Sequence, residues 1–79
     1  MAVEAVLDRK AVEITWDTEV VKGNKVTIRC FNPEGGDVST KTSVNDGRAV
    51  VTFPADYSGV TEVTVTGAGQ TSDTGSITV

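Results

Sequence analysis

Apolar and polar residues alternate along most of the chain, which is the two-residue period of half-buried β-strands. The period is clearest in residues 12–16, 26–30 and 60–66, where apolar residues alternate with threonine and charged residues. Together with the turn residues between such runs, the pattern predicts seven short strands, at residues 11–16, 19–21, 25–31, 38–44, 48–53, 60–66 and 75–79. Strands of this number and spacing are typical of an antiparallel β-sandwich, so residues 11–79 are predicted to form one all-β domain.

The first ten residues are predicted to be an N-terminal arm or a first strand ahead of this domain. Val3, Ala5 and Leu7 share one side of a strand. Val3, Val6 and Leu7 share one face of a helical turn, and the segment is too short for its period to decide between the two. Because these apolar side chains have no assured partner in the core, Val3, Val6 and Leu7 are candidate partner-binding residues.

The segment from residue 45 to residue 67 carries the strongest local signals. Asn45, Asp46 and Gly47 predict a tight hairpin turn, because these residue types tolerate positive φ, and Gly47 is assigned a structural role there. A core strand, a polar corner and a second strand follow. Tyr57 lies in the corner, where we expect its hydroxyl to bond to nearby backbone; the alternative is an exposed ring available for recognition. The arrangement resembles the E–F region of immunoglobulin-like and fibronectin-III-like sandwiches, which implies an immunoglobulin-like fold.

The chain has one cysteine and no histidine. Cys30 cannot form an intramolecular disulfide, and its inward position in a predicted strand indicates a buried, unreactive thiol with a structural role. Without histidine the chain lacks the usual general base and the commonest metal ligand. The loop serines have no residue that could activate them, so the sequence predicts a protein that is not an enzyme.

Charge further limits the ligands that we expect the chain to bind. A net charge of −4 argues against nucleic acid, since phosphate binding requires a basic face. Two carboxylate pairs, Glu34 with Asp37 and Asp46 with Asp56, are candidates for holding calcium at one end of the sandwich. Their spacing matches no calcium-binding loop, and loop carboxylates are usually solvated, so no cofactor is predicted.

Two further regions are candidates for contact with a protein partner. Trp16 ends a predicted strand, where a lone tryptophan is usually part of the core, and the alternative is a partly exposed binding anchor. The loop after the strand over residues 25–31 contains proline and paired glycine, which is typical of a flexible connection. Asn32, Glu34 and Asp37 are the candidate partner-binding residues in that segment.

The block from residue 45 to residue 67 and the closing segment GSITV resemble immunoglobulin-like modules of bacterial and phage surface proteins. A short chain with no paired cysteine and no catalytic residue is similar to the head decoration proteins of tailed phages. This resemblance implies a structural protein that attaches to an assembled capsid shell, with the major capsid protein or another virion component as its partner. Self-association into small oligomers is a further expectation. No membrane contact is expected, because no apolar run is long enough to cross a bilayer.

The start of the chain leaves two locations open. The first ten residues lack the basic stretch and apolar segment of a signal peptide, so a chain that starts naturally at Met1 is expected in the host cytoplasm and then in the virion. Alternatively, the chain is an immunoglobulin-like spacer or ligand-binding module of a bacterial surface or carbohydrate-active protein. The lone thiol of Cys30 counts against that extracellular location.

Overall fold

Residues 9–79 fold into six strands that form two antiparallel sheets. This computed structural model describes the backbone from residue 9 and the side chains from residue 10 onward. The strands are β1 (Arg9–Thr15), β2 (Lys22–Phe31), β3 (Asp37–Val44), β4 (Arg48–Pro54), β5 (Val60–Ala68) and β6 (Ser72–Thr78). β1 pairs with β4 in a two-stranded sheet, and the other four strands lie in the order β3-β2-β5-β6. The prediction of an all-β chain of antiparallel strands is therefore confirmed.

The core lies between the two sheets, and the alternation in the sequence decides which side chains enter it. On β2, Val26, Ile28 and Cys30 are buried while the residues between them are exposed. The same alternation predicts the inward residues of β4 and β5, and the structure confirms them. The buried apolar residues are Ile14, Trp16, Val21, Val26, Ile28, Cys30, Val51, Phe53, Val63 and Val65.

The predicted strand over residues 19–21 is a turn instead. The amides of Val20 and Val21 both donate to the carbonyl of Asp17, at 3.0 Å each, and the Asp17 carboxylate accepts from the Glu19 amide at 2.8 Å. Aspartate favours such turns because its side chain hydrogen-bonds to backbone two residues further along. Val21 is fully buried at the end of the turn. The apolar pair Val20 and Val21 resembles a short strand in the sequence, which is why the pattern predicts a strand there. Residues 9–79 therefore contain six strands rather than seven.

The turn at Asn45, Asp46 and Gly47 connects the two sheets, so the prediction that it closes a hairpin is wrong. It joins β3, in the four-stranded sheet, to β4, in the two-stranded sheet. Gly47 has a φ of 94°, which fits its predicted structural role in the turn. Between residues 9 and 79, Gln70 is the one non-glycine residue with positive φ. Asn45 therefore has an ordinary backbone conformation, and its importance lies in its side chain.

The Asn45 side chain joins three separate parts of the fold. Its Oδ1 accepts a hydrogen bond from the Trp16 indole at 2.6 Å. Its Nδ2 donates to the carbonyls of Val21, at 2.8 Å, and Gly23, at 2.9 Å. Its backbone amide donates to the carbonyl of Asn24 at 3.0 Å. One residue thus connects the end of β1, the turn after it, the start of β2 and the crossover between the sheets.

We expect Asn45→Ala to lower the free energy of unfolding by about 2–3 kcal/mol, because it leaves the Trp16 indole and two carbonyls without their partners. Urea titration followed by tryptophan fluorescence measures the loss. Asn24→Ala is the matched control, since this exposed residue contributes its backbone carbonyl to the same bond network, and it should change stability by less than about 0.5 kcal/mol. Equal losses in the two variants would contradict the role given to the Asn45 amide.

Burial raises the pKa of the Cys30 thiol above its ordinary value of 9.0. The folded chain therefore holds this proton to a higher pH than the unfolded chain does. The stability that depends on a neutral thiol is intact below pH 9.0 and is lost as the pH rises through the folded pKa. The test is the difference in unfolding free energy between the wild type and Cys30→Ala, measured at a series of pH values. This difference should be constant below about pH 8. Above pH 9.0 it should fall by up to about 1.4 kcal/mol per pH unit. A difference that stays flat to pH 11 would contradict this expectation.

Candidate functional site

The edges of the two sheets meet along two sides of the domain, and the β3–β4 side is closed by side chains. Ser39 Oγ donates to the Thr52 carbonyl at 2.9 Å, and Lys41 Nζ donates to the Val50 carbonyl at 2.6 Å. Lys41 lies directly opposite Ile28 of β2 and so lies on the inward side of its sheet. Side chains of β3 thus satisfy two backbone carbonyls of β4 and link the two sheets on this side.

The β1–β6 side is open. Within residues 9–79 no hydrogen bond joins β1 to β6, and the nearest one runs from the Asp17 amide to Asp73 Oδ2 at 3.3 Å, beyond the end of β1. A cavity of about 200 Å³ lies between the two strands. Among residues 9–79, both strands therefore have one edge that is not paired with another strand. We call this feature the β1–β6 groove.

Apolar side chains from both sheets line the β1–β6 groove. Ile14 comes from β1, Val63 and Val65 come from β5, and Ile77 comes from β6, while Trp16 lies at one end. Glu13 and Asp73 add acidic groups to the lining. A cavity of about 150 Å³ lined by such residues can hold a molecule the size of benzene. The groove is therefore large enough for one or two aliphatic side chains.

Gly75 contributes to the open space of the groove. The register between β5 and β6 places Gly75 opposite Val63 and Ile77 opposite Thr61, so these β6 residues lie on the inward side of the sheet. Gly75 supplies no side chain there, and a Cβ added to it would meet no atom within 4 Å. Sequence reasoning missed this residue because it placed Gly75 at the start of the last strand. The signal that could have found it is a glycine inside an alternating run, which often marks a close approach by another chain.

The structure separates the sequence-predicted binding residues into two ends of the domain. Trp16 is 8 % exposed and lies at the end where β1 finishes, next to Asn45. The loop with Asn32 and Glu34 lies at the opposite end, where β2 finishes and β1 begins. Asp37 begins β3 at that same end. Val3, Val6 and Leu7 lie outside the described residues, but the first of those described, Arg9, is also at the end with the loop.

Hydrogen bonds within the 32–37 loop form a defined turn. The Asn32 amide donates to the Gly36 carbonyl at 2.8 Å, and the Gly36 amide donates to Asn32 Oδ1 at 2.9 Å. Asp37 forms an ion pair with Arg29 at 2.7 Å, and Glu34 is exposed. Both ion-pair partners are more than half exposed, so the pair contributes little to stability. These contacts bring Asn32 and Asp37 into the framework of the β2–β3 connection.

Tyr57 has the corner role that was predicted from sequence. Its hydroxyl donates to the Val60 carbonyl at 2.9 Å, and its ring stacks against Phe53 with 6.3 Å between the ring centroids. Lys10 Nζ donates to the Tyr57 carbonyl at 2.9 Å, which ties the start of β1 to the corner. The half-buried ring is therefore part of the framework at the end where β1 begins.

The outer face of the four-stranded sheet is a second concave surface, and its lining includes threonines and two basic residues, Lys25 and Arg29. Threonines lie opposite one another on adjacent strands, in the pairs Thr27–Thr42, Thr27–Thr66 and Thr64–Thr74. The Arg29 guanidinium lies 4.8 Å from the centroid of the Phe31 ring. This face presents hydroxyl, methyl and basic groups outward, whereas core side chains of both sheets line the β1–β6 groove. The groove is therefore the candidate site for an apolar segment.

The described carboxylates form no metal site. In residues 9–79 no group of three or more His, Cys, Asp and Glu residues is placed to hold a metal ion. Asp46 precedes β4 and Asp56 follows it, so the two predicted calcium ligands lie at opposite ends of a strand and cannot share an ion. Asp37, from the other predicted pair, is bonded to Arg29.

Comparison with known proteins gives no relative on which to base a function. No protein-family model, no curated protein and no solved structure matches this chain. No helix in the part of the chain that the structure describes has the length and apolar character needed to cross a membrane. The groove is therefore interpreted from its own geometry.

In a chain that lacks the candidate binding segment of residues 2–7, so that this segment cannot occupy the groove, we expect Gly75→Val to raise the free energy of unfolding by about 1 kcal/mol, which corresponds to about 4–8 °C in Tm. The added side chain enters empty space on an extended backbone and covers part of the groove. Gly59→Val is the matched control, because a Cβ there also meets no atom within 4 Å, but the φ of 119° at Gly59 strains any larger residue. Gly59→Val should lower the Tm. Thermal melts that show Gly75→Val destabilised as well would contradict the open groove.

Proposed function

We propose that this chain is a non-enzymatic structural protein that joins a protein assembly by accepting an extended apolar segment in the β1–β6 groove. The observation that carries the proposal is the difference between the two sides of the domain. Hydrogen bonds from Ser39 and Lys41 link the two sheets on the β3–β4 side, whereas in the part of the chain that the structure describes the β1–β6 side has two unpaired strand edges over apolar side chains. Such an edge is the usual docking place for a strand supplied by a partner.

Two interactions favour the addition of a strand at this groove. The backbone of the added segment pairs with a free strand edge, and its alternate side chains point into the groove. Each valine or leucine side chain that leaves water contributes about 1.5–3 kcal/mol. The one or two such side chains that the groove can hold therefore add to the free energy of backbone pairing.

The strand order supports an immunoglobulin-like fold as part of the proposal. In that fold one sheet contains strands C, F and G, with C′ added in variable-type domains, and the other sheet contains strands B and E. The order β3-β2-β5-β6 corresponds to C′-C-F-G, and β1-β4 corresponds to B-E. Tyr57 occupies the corner before the F-like strand, although its hydroxyl bonds forward to Val60 rather than to an upstream residue.

The assembly that we propose is a virion shell, with this chain as an accessory head protein of a tailed phage. The resemblance of the sequence to head decoration proteins supports this choice, as does an acidic chain with no histidine and one buried thiol. The partner is then the major capsid protein or another virion component. The location is the virion, after synthesis in the host cytoplasm.

Co-sedimentation with purified shells of the phage that carries the gene tests this function. We expect the wild type to bind in many copies per shell. Gly75→Val covers part of the groove and should weaken binding at least tenfold, while Thr42→Val, on the outer face of β3, should bind like the wild type. Binding by Gly75→Val at wild-type affinity would contradict a role for the groove.

A further inference from the structure

We propose that the segment in the β1–β6 groove is residues 2–7 of a second copy of this chain, which adds a third strand to the β1–β4 sheet. This inference rests on the proposed function, because it identifies the segment that the groove accepts. The argument has three parts: the free edge of β1, the side-chain pattern of residues 2–7, and the connection between those residues and β1.

The free edge of β1 is the one that gains most from a new strand. β1 has a single partner, β4, in the described part of the chain, whereas β6 belongs to a sheet of four strands. A two-stranded sheet is marginally stable in water, and a third strand stabilises it. Pairing along β1 also places the new side chains over the groove, next to Ile14 and opposite Ile77.

Residues 2–7 have the pattern that the groove requires. Val3, Ala5 and Leu7 share one side of an extended strand, and Glu4 and Val6 share the other. The first set offers three apolar side chains, of which the middle one is small. Six extended residues span about 20 Å, close to the length of the seven-residue β1. The segment therefore fits the edge in both length and polarity.

The connection to β1 favours a second copy over the same copy. Arg9 is already paired with Pro54 as part of β1, so a segment that folds back must reverse direction at Leu7 and Asp8. A two-residue hairpin turn needs positive φ at its first central residue, which here is Leu7. Leucine disfavours that conformation, residues 1–10 contain no glycine or asparagine, and Asp8, which tolerates it, is the second central residue. Entry into the groove of a neighbouring copy needs no turn.

Each copy then provides one groove and one donor segment. Reciprocal exchange between two copies gives a closed dimer, and one-way transfer gives a ring or a chain of copies. In the closed dimer and in the ring every groove is filled, whereas an open chain of copies leaves one groove empty at its end. Such links between neighbours match the many symmetric positions that a shell offers to an accessory protein.

Light scattering coupled to size-exclusion chromatography tests the inference on the full chain. We expect the wild type to have at least twice the mass of one chain. A chain lacking residues 2–7 and the Gly75→Val variant should each be monomeric, the first for lack of a donor and the second for lack of a groove. Mixed together, they should form a one-to-one complex, because the deleted chain still offers a groove and Gly75→Val still offers a donor. Failure of the mixture to form a complex would overturn the inference.

Single substitutions in the donor segment give a test that keeps the chain length constant. Val3→Asp puts a charge on the side that enters the groove and should weaken self-association by about 100-fold. Val6→Asp puts the same charge on the opposite side of the strand and should leave the self-association affinity within threefold of the wild type. Equal effects of the two would overturn the extended donor strand, since Val3 and Val6 share a face only in a helical turn. A monomeric wild type that loses stability when residues 2–7 are deleted would place the segment in its own groove and overturn the second copy.

The two proposals fail in different ways. Shell binding by Gly75→Val at the wild-type level contradicts the proposed function itself. A different pair of results overturns only the second copy as donor. In that case Gly75→Val loses shell binding, while Val3→Asp self-associates and binds shells like the wild type. The groove then remains the docking site for another protein.

Discussion

The hydrogen bonds of the Asn45 side chain hold together the end of the domain where the sheets are joined. The amide contacts the Trp16 indole, the turn that carries Val21, and the start of β2. These three parts come from both sheets, so the spacing between the sheets at this end depends on one planar group with fixed donor and acceptor positions. Trp16 and Val21 are held in the core by the same contacts. In a chain of 79 residues, where the core is small, one such group has a large effect on stability.

Local patterns predicted the strands well, but they could not predict how the sheets are assembled. The alternation in β2, β4 and β5 identified buried residues such as Ile28 and Phe53, because a half-buried strand must present every second side chain to the core. The turn at Asn45 was misinterpreted because its composition also suits a hairpin. Whether β4 pairs with β3 or with β1 depends on contacts with residues far away in sequence. The groove was missed for a related reason, since the gap at Gly75 appears only when β5 and the opposite sheet are in place.

The two open sides of a two-layer fold present the same problem of unpaired strand edges, and this chain treats them differently. On one side, Lys41 and Ser39 satisfy backbone carbonyls of the facing strand, which removes a template for pairing. On the other, β6 offers serine, threonine, aspartate and glycine, with Ile77 as its large apolar residue. A strand of that composition gains little from the core and is held mainly by its backbone bonds to β5. An unpaired edge of this kind is available for pairing with another strand. The acidic net charge of the chain limits non-specific association.

The side-chain bonds of Ser39 and Lys41 also make the two sides of the domain mechanically unequal. They link β3 to β4 at 2.9 and 2.6 Å. On the β1–β6 side, within residues 9–79, the hydrogen bond between the sheets is the longer one from the Asp17 amide to Asp73 Oδ2, at 3.3 Å. Separating the sheets on the β1–β6 side therefore breaks fewer hydrogen bonds than separating them on the β3–β4 side, so a change in the spacing between the sheets is expected first along β1 and β6.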